Sequence, residues 1–528
     1  MSVYIVNILI FFGILILTWF GWRKQKFSVF SDNRIPGPKP SFWTGNLREI
    51  IQLKEFFEYE NRKKYGNIFG YFLGAKPILL VNDPELIKII QIKHFRNFCN
   101  KDFMLLDASI PHHVGTKSLP AGRDKKWKIS RCILNPCFSS RKLKLMFYNF
   151  NEAIDEFFVN VEEESKNESS FDLYPFYKSL TLDIICRTTF GFNCGVQKGK
   201  SDLFLESLGK VLNTPSSDIS SLLSVCFPET EPIPTLIRRI RDYFNSKYDK
   251  PSVKLLVDTL KDVIRQRKLS FTKKEDLLQS MIDGKVETKL LHDVNDEDLD
   301  AKNDKETEES TNVGNSHIRL SDDEITGNAL VFMATGFGTT SSILAYSSYY
   351  LATHLEIQEK AVNQIRTILE GKSIEIQYED LEKLDYLDQI ISETLRLHPA
   401  SSLSINRKVK KVFKYKGKTI PEDVIVSISP ELLHRNPEYW NEPDIFNPDR
   451  FSAENKRNIN TTIYQPFGNG PRNCIGMRFA LTVIKITLVR VLMKYKLDKP
   501  PDYVLKCNHS LYGSTPKDVY VRMTPRTI

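Results

Sequence analysis

A glycine-rich loop that ends beside a cysteine constrains this chain more than any other feature. Residues 467–476 read FGNGPRNCIG, and an apolar stretch from Met477 to Met493 follows at once. Glycines let a backbone approach a flat ligand closely, and the guanidinium of Arg472 offers a fixed fork of donors to a carboxylate. Backbone N–H groups at the start of the apolar helix are expected to stabilise a thiolate on Cys474 and to lower its pKa. The loop therefore predicts a thiolate site for a flat ligand.

The composition is that of a globular protein with a sizeable core. The chain has 528 residues, 41% hydrophobic and 26% charged, and contains no internal repeat or Gly/Ser linker. Its eight cysteines form no CxxC pair, so zinc and thioredoxin-like sites lack support and we expect reduced thiols. By itself, Cys474 could equally be a small buried apolar residue. The net charge of +9 does not indicate nucleic acid, and it fits an acidic protein or an anionic membrane.

The N-terminus predicts a membrane anchor. Val3 to Phe20 is nearly all apolar, and the basic run Arg23–Lys26 follows it. About 20 apolar residues cross a bilayer, and the positive charges place the following residues in the cytosol. A cleaved signal peptide is the alternative, but it requires its positive charges before the apolar run. We predict a transmembrane signal anchor over residues 1–22 and a basic, Pro-rich connector over 23–40.

The remaining residues, 41–528, read as one mainly helical domain with a minor sheet. Apolar residues recur at helical spacing in 151–165, 178–190, 321–350, 353–370 and 380–398, and β-like runs occur at 68–72, 76–81 and around 405–428. One segment differs, because 292–317 carries nine acidic side chains and almost no large apolar one. We predict that it is a solvated, flexible insertion between two helices, rather than a functional acidic segment.

One long helix contains an unusual polar stretch. Ser321 and Glu324 have the spacing of a capping box, and the apolar run from Ile325 to Leu351 behind them is interrupted at 335–340 by TGFGTT. Two glycines in a helix interior are costly. Either the helix bends where Thr hydroxyls bond to carbonyls of the preceding turn, or it opens so that a ligand lies against its backbone.

Three further patterns precede the cysteine loop. Trp127 and Arg131 form a WxxxR pattern, Glu393 and Arg396 form an ExxR pattern, and Arg450 follows them. An ExxR pair by itself is a common surface feature of helices. Together with the loop, however, these patterns make the chain resemble a microsomal cytochrome P450 over its whole length. It is most similar to the clan that includes the drug-metabolising liver enzymes and thromboxane synthase.

The resemblance implies a cytochrome P450 fold with an N-terminal transmembrane helix, mainly α with small β-sheets. In this fold haem b lies between the Thr-bearing helix and the loop, and Cys474 is the axial thiolate ligand of the iron, which favours O–O cleavage. Thr339 is the residue implied to steer protons onto bound oxygen. The residues implied to contact the cofactor are Trp127, Arg131, Gly336, Phe467, Gly468, Arg472 and Gly476, and those implied to form a buried structural triad are Glu393, Arg396 and Arg450.

Several positions depart from the family's pattern. Gly338 replaces the acidic residue that usually precedes Thr339. One alternative is that water or an acid from another segment takes its place. The other is that proton delivery is slow, so that the enzyme leaks peroxide or favours another reaction. Thr335 replaces a usual Ala and would add a hydroxyl to an otherwise apolar face beside the iron. The smaller departures are Leu403 for an Arg that binds a propionate, with Arg407 as a weak substitute, Asp423 for Gly and Asp449 for Glu.

The resemblance implies a monooxygenase that inserts one atom of O2 into an apolar lipid, steroid or xenobiotic. No GxGxxG motif follows a strand, so we expect electrons from NADPH through a separate cytochrome P450 reductase, with cytochrome b5 as a further candidate partner. The predicted location is the endoplasmic reticulum membrane, with a single span and a cytosolic catalytic domain. Candidate reductase contacts, which could also be an ordinary solvated helix face, are Arg123, Lys125, Lys126 and Lys128.

Two other functions stay open at the level of sequence. A haem-thiolate isomerase or dehydratase would rearrange a peroxide without a reductase, as thromboxane synthase does, and Gly338 leaves this possible. The second of these is a haem-binding protein that catalyses no reaction. The substrate pocket is expected to be apolar, with Phe103, Met104, Leu105, Phe332 and Phe337 among its walls, from the segments 103–118, 205–240, 328–337, 400–405 and 509–517.

Overall fold

A computed structural model describes residues 2–53, 56–102, 112–166, 170–199, 207, 219–247, 253–287, 317–370, 376–399, 405–510 and 513–526. Within these ranges the chain is mainly helical with small sheets, as predicted. The acidic segment 292–316, Phe103–Leu105 and Leu403 lie outside the described residues.

The helices agree with the apolar patterns to within about five residues, except that the helix predicted over 151–165 begins at Ser140, eleven residues earlier. Those of seven or more residues in the described ranges are α1 Ser2–Phe27, α2 Leu47–Leu53, α3 Phe56–Tyr65, α4 Asp124–Leu134, α5 Ser140–Ser165, α6 Tyr174–Ile185, α7 Ile219–Cys226, α8 Ile233–Lys247, α9 Val253–Leu269, α10 Leu277–Asp283, α11 Asp322–Thr353, α12 Leu355–Leu369, α13 Asp385–Leu397 and α14 Met477–Lys494. A π-helical segment, Cys186–Phe190, extends α6, and a 3-10 segment, Tyr378–Lys383, precedes α13.

The strands form several small sheets. They are β1 Ile68–Leu73, β2 Lys76–Val81, β3 Phe171–Asp172, β4 Lys285–Glu287, β5 His317–Arg319, β6 Asn406–Lys408, β7 Phe413–Tyr415, β8 Lys418–Ile420, β9 Ile425–Ser427, β10 Tyr495–Asp498, β11 Cys507–Ser510, β12 Gly513–Pro516 and β13 Tyr520–Pro525. The largest has the order β1-β2-β9-β6, and β10-β13-β3 forms another. Asp423 adopts a left-handed φ of 63° before β9, which explains why a glycine is usual at its position.

Among the described residues, two helices are long and apolar enough to cross a membrane. None of the window in α1 is buried, whereas 67% of the window in α11 is buried inside the protein. α11 is therefore the central helix of the core. α1 continues through the basic residues to Phe27, and a stretch without regular structure, 35–40, contains the three prolines.

The central helix begins as its sequence predicts. The Ser321 hydroxyl accepts from the Glu324 amide, and the Glu324 carboxylate accepts from the Ser321 amide, so both partners of the capping box are present. Along its length α11 packs on α6, where a side chain at Gly336 would bring a Cβ within 2.9 Å of Ile185 Cδ1. Gly336 thus permits the close approach of the two helices. Its predicted contact with a cofactor stays a prediction.

Candidate active site

The cysteine loop folds as a tight turn that delivers Cys474 to the start of α14. Gly468 and Gly470 adopt left-handed φ values of 72° and 71°. The Cys474 amide donates to the Phe467 carbonyl at 2.8 Å, which closes the loop. A Cβ at Gly470 would lie 2.2 Å from the carbonyl oxygen of Gln91, so only glycine fits there.

Cys474 lies deep in the protein, yet the residue is exposed. Burial raises the pKa of the Cys474 thiol. Hydrogen bonds from the amides of Gly476 and Met477, and the charges of Arg131 and Lys101, oppose this shift without overcoming it. The amides at the helix start therefore act in the predicted direction, but desolvation outweighs them and the net shift of the pKa is upward. A bound metal cation would supply the missing stabilisation of a thiolate.

Two of the predicted cationic residues are held in place by the loop and its surroundings. Arg131 donates to the carbonyl and side-chain oxygens of Asn473 at 2.9 and 2.7 Å. Arg472 donates from Nε to the Cys99 carbonyl at 2.8 Å and lies 4.3 Å over the ring of Trp127. The WxxxR helix α4 and the cysteine loop are therefore joined through these side chains.

Two further cations complete a cluster beside the loop. Arg407 is 1% exposed, its Nε has no partner, and burial lowers its pKa to about 10. Burial, followed by the charge of Arg407, lowers the pKa of Arg472 to about 9 and that of Lys101 to about 7. Lys101 was not singled out by any motif, since a lone lysine carries no pattern. The cluster of Lys101, Arg131, Arg407 and Arg472 therefore fits a ligand that brings negative charge.

The polar stretch of α11 stays helical. The Thr339 hydroxyl donates to the Thr335 carbonyl at 2.6 Å, and the Thr335 hydroxyl donates to the Val331 carbonyl at 2.7 Å. Back-bonding hydroxyls are thus present, and the helix is not opened, because Asp322–Thr353 is continuous. A Cβ at Gly338 would meet no atom within 4 Å, so open space lies where the family's acid would project.

The ExxR pair is fully buried. Arg396 donates from Nε and Nη2 to the two carboxylate oxygens of Glu393 at 2.7 and 2.8 Å, and both residues are 0% exposed. Arg450 Nε lies 3.3 Å from Glu393 Oε1, which completes the triad. Asp449, which replaces the usual Glu, points to solvent and pairs with Lys360 at 3.0 Å. The substitution at 449 therefore leaves the triad intact.

A buried histidine links this triad to the cysteine loop. His434 Nδ1 lies 3.2 Å from the Arg396 carbonyl, and Nε2 accepts from the Gln465 amide at 3.1 Å. Because Nε2 is an acceptor, the proton must be on Nδ1 and the ring is neutral. Burial, then the charge of Arg396, lowers the pKa of His434 to about 3. The sequence offered no motif for His434.

Helix α4 has one buried side and one exposed basic side. Trp127 is buried towards the loop, while Arg123 before the helix and Lys125 and Lys126 on it are exposed, and Lys128 is partly buried. The candidate partner surface is thus presented on the same helix that carries the WxxxR residues.

Known proteins resemble this chain over most of its length. A family model described as cytochrome P450 matches residues 35–521. Cytochrome P450 3A6 of Oryctolagus cuniculus is 32% identical over 506 residues, which are 94% of this chain and 93% of that protein. Cytochrome P450 3A9 of Rattus norvegicus is 32% identical over 92% of this chain and 90% of its own length. Cytochrome P450 3A16 of Mus musculus is 31% identical over 99% of this chain and 97% of its own length.

Proposed function

The chain belongs to the cytochrome P450 family and is an oxygen-incorporating haem monooxygenase, and we propose that it acts on apolar lipids, steroids or xenobiotics. Haem supplies the oxygen chemistry when it is bound, and the protein binds substrate and controls protons and water. Partly buried aromatic rings such as Phe332 and Phe337, which pack against the core next to the polar stretch of α11, support an apolar substrate class.

We propose haem b as the cofactor, with Cys474 as the axial ligand. The observation that carries this proposal is the exposed Cys474 beside the four-cation cluster, because protoporphyrin carries two propionates that such cations would neutralise. Reduced protein with carbon monoxide is expected to show the strongly red-shifted Soret band of thiolate-ligated haem. A Cys474→Ser variant that keeps this band would contradict the assignment, and Cys132→Ser is the control that should keep it.

We infer that Lys101 and Arg407 take the role that the family often gives to an arginine at the position of Leu403. Lys101→Gln is expected to speed the loss of haem to a scavenging apoprotein, because a buried propionate would lose its countercharge. Lys101→Arg is the matched control and should retain haem. Equal rates in Lys101→Gln and the parent protein would exclude Lys101 from propionate binding.

Thr339 is proposed to hold and pass protons without the usual acidic neighbour. In the free protein its hydroxyl proton is directed to the Thr335 carbonyl, so its oxygen is free to accept from water in the open space beside Gly338. Water therefore takes the place of the acid in this proposal. Measuring NADPH consumed per product formed tests it, since slow proton delivery lowers the coupling.

The electron donor is proposed to be the NADPH-cytochrome P450 reductase, with cytochrome b5 as a second partner at the same surface. The exposed charges of Arg123, Lys125 and Lys126 support docking of an acidic protein. The double variant Lys125→Glu with Lys126→Glu is expected to lower the rate at which the reductase reduces this protein. The rate should also depend less on salt concentration. Lys63→Glu with Lys64→Glu is a charge-matched control. Equal effects of both pairs would contradict a specific surface at α4.

The alternative function is an isomerase or dehydratase that rearranges a peroxide. Gly338 is the observation that favours it, because such a reaction needs no acid to deliver protons to oxygen. Turnover that requires neither NADPH nor reductase would establish this alternative, whereas product that carries one atom of labelled O2 supports the monooxygenase.

We propose that α1 is the single membrane span, with the catalytic domain on the cytosolic side of the endoplasmic reticulum. Its apolar side chains are exposed and the basic residues follow them, as the positive-inside rule requires. Alkaline carbonate should leave the full-length protein in the membrane, and protease added to sealed microsomes should digest the catalytic domain. Release by carbonate would contradict the anchor.

A further inference from the structure

A row of aromatic rings begins at the C-terminal half of α11, deep in the protein. Tyr346 is fully buried, and its ring stacks on the imidazole of His398 with ring centres 3.8 Å apart and planes inclined by 10°. The centre of the imidazole lies in turn 5.7 Å from that of the Tyr350 ring. The three rings therefore form an unbroken contact between α11 and the segment that follows α13.

The same row continues to the surface of the protein. The ring centres of Tyr350 and Tyr349 are 5.5 Å apart, and Tyr349 lies 6.1 Å from Tyr503. Tyr503 lies 5.5 Å from Tyr520, which is 40% exposed. Aromatic pairs at these separations are in contact, so neighbouring rings touch from the buried end to solvent. The aromatic row consists, in this order, of Tyr346, His398, Tyr350, Tyr349, Tyr503 and Tyr520.

Two phenol groups of the row have a neighbouring atom that can take up their proton. The Tyr350 hydroxyl lies 2.8 Å from His398 Nε2, which accepts from it when the imidazole carries its proton on Nδ1. The Tyr503 hydroxyl donates to the carboxylate of Asp518 at 2.8 Å. Burial raises the pKa of both phenols, so they keep their protons until they are oxidised. Removal of an electron together with the proton then leaves a neutral radical instead of a desolvated cation.

The buried end of the row adjoins the candidate active site. Tyr346 follows Thr339 on α11 by two helical turns, about 10 Å along the axis. Its hydroxyl lies 3.1 Å from that of Ser514, which belongs to the segment 509–517 that the sequence predicts as a pocket wall. Electrons cross a distance of this size through protein within the time of a catalytic turnover. Tyr346 is therefore in reach of an oxidant that forms beside Thr339.

Packing alone does not require tyrosine at these positions. Phenylalanine would fill nearly the same volume without burying a hydroxyl, which is costly unless it is hydrogen-bonded. The same core contains Phe446, which stacks on Tyr350 with ring centres 4.2 Å apart and has no hydroxyl. The row thus combines side chains that can be oxidised reversibly with an exposed end, where small reductants from solution have access.

We propose that the aromatic row is a relay, which carries oxidising equivalents from the haem to Tyr520 when no substrate consumes them. Tyr346 gives one electron to the oxidant at the haem, and the next tyrosines replace that electron in turn. Each phenol passes its proton to its acceptor and regains it when it is reduced. At the surface Tyr520 releases its proton to water, and its radical then takes a hydrogen atom from a small thiol. One event therefore moves one electron from the thiol to the haem oxidant, leaves a thiyl radical and releases one proton. This inference rests on the proposed haem site.

The test uses the full-length holoprotein without substrate, treated with cumene hydroperoxide and a nitrosoalkane spin trap. Mass mapping of peptides then locates the trapped radical, and we expect an adduct on Tyr520 of the parent protein. Tyr503→Phe keeps the packing but removes an oxidisable ring from the row, so it should abolish the adduct on Tyr520. Tyr503→Trp restores an oxidisable ring without the phenol and should restore the adduct, which a merely structural role of Tyr503 would not do.

The bleaching of the Soret band by the same peroxide is a second measurement on the same proteins. Tyr503→Phe and Tyr350→Phe are both expected to lose the band faster than the parent, because the oxidant is no longer drained from the site. Glutathione should slow the bleaching more in the parent than in either variant. Tyr148→Phe removes a tyrosine of α5 that is 70% exposed and outside the row, and this control should behave like the parent in both measurements.

The remaining outcomes also decide the proposal. An adduct on Tyr520 that persists in both Tyr503→Phe and Tyr350→Phe overturns the relay, because the radical then reaches Tyr520 by another route. Absence of the adduct in parent protein that shows the thiolate Soret band with carbon monoxide overturns the relay and leaves the haem site intact. Absence of that band contradicts the proposed haem site itself, and the relay falls with it, so the two failures are distinguishable.

Discussion

Replacing Glu393 by Gln removes the negative charge of the buried triad while keeping the shape of the side chain. Arg396 then remains 0% exposed with its charge facing carbonyl oxygens and a neutral amide. Breaking a buried ion pair on one side costs about 3–5 kcal/mol. A protein of this kind is stable by about 5–15 kcal/mol, so the change removes a large part of its stability.

The measurement is urea unfolding of the detergent-solubilised protein, followed by the Soret band of the carbon monoxide complex and by tryptophan emission. Asp423→Asn is the matched control, because it removes an exposed carboxylate that pairs with Lys408 at 2.7 Å and keeps its shape. We expect it to cost about 0–1 kcal/mol. A decrease of less than about 1 kcal/mol in the free energy of unfolding of Glu393→Gln would refute the reasoning, because a buried charge without its partner should destabilise the protein by more than that.

Three more outcomes follow from the site. Gly338→Glu should raise the product formed per NADPH, because its side chain enters open space; unchanged coupling would mean that water already suffices. His434 has a pKa of about 3 in the folded chain and about 6.5 when unfolded, so its contribution to stability is complete above pH 6.5 and is lost as the pH falls. At pH 5 the free energy of unfolding should be lower by about 2 kcal/mol than above pH 6.5. In urea titrations, His434→Gln should make the free energy of unfolding depend less on pH. Gly470→Ala should abolish folded, haem-bearing protein through its clash with Gln91, whereas Gly476→Ala, which meets no atom of the chain, should yield folded protein.

Several structural features of this protein could be predicted from local sequence patterns. The apolar period of α11 and its Ser321–Glu324 cap are properties of neighbouring residues, so they could be predicted and they match the structure. The mainly helical fold with small sheets followed from the same patterns. The ExxR spacing identified Glu393 and Arg396, but spacing alone could not distinguish a buried pair from an exposed one, because burial depends on what packs over the helix.

The sequence by itself determined the cysteine loop, the apolar N-terminal helix and the family. These features are contiguous, so their chemistry is set by residue type and spacing. Tertiary structure alone decided which distant groups share a space. It brought Lys101 and Arg407 together with Arg472, reversed the expected shift of the Cys474 pKa through burial, and stacked His398 on Tyr346 of α11. Electrostatic effects depend on the distances between charges and on their desolvation, and neither can be derived from the order of residues alone.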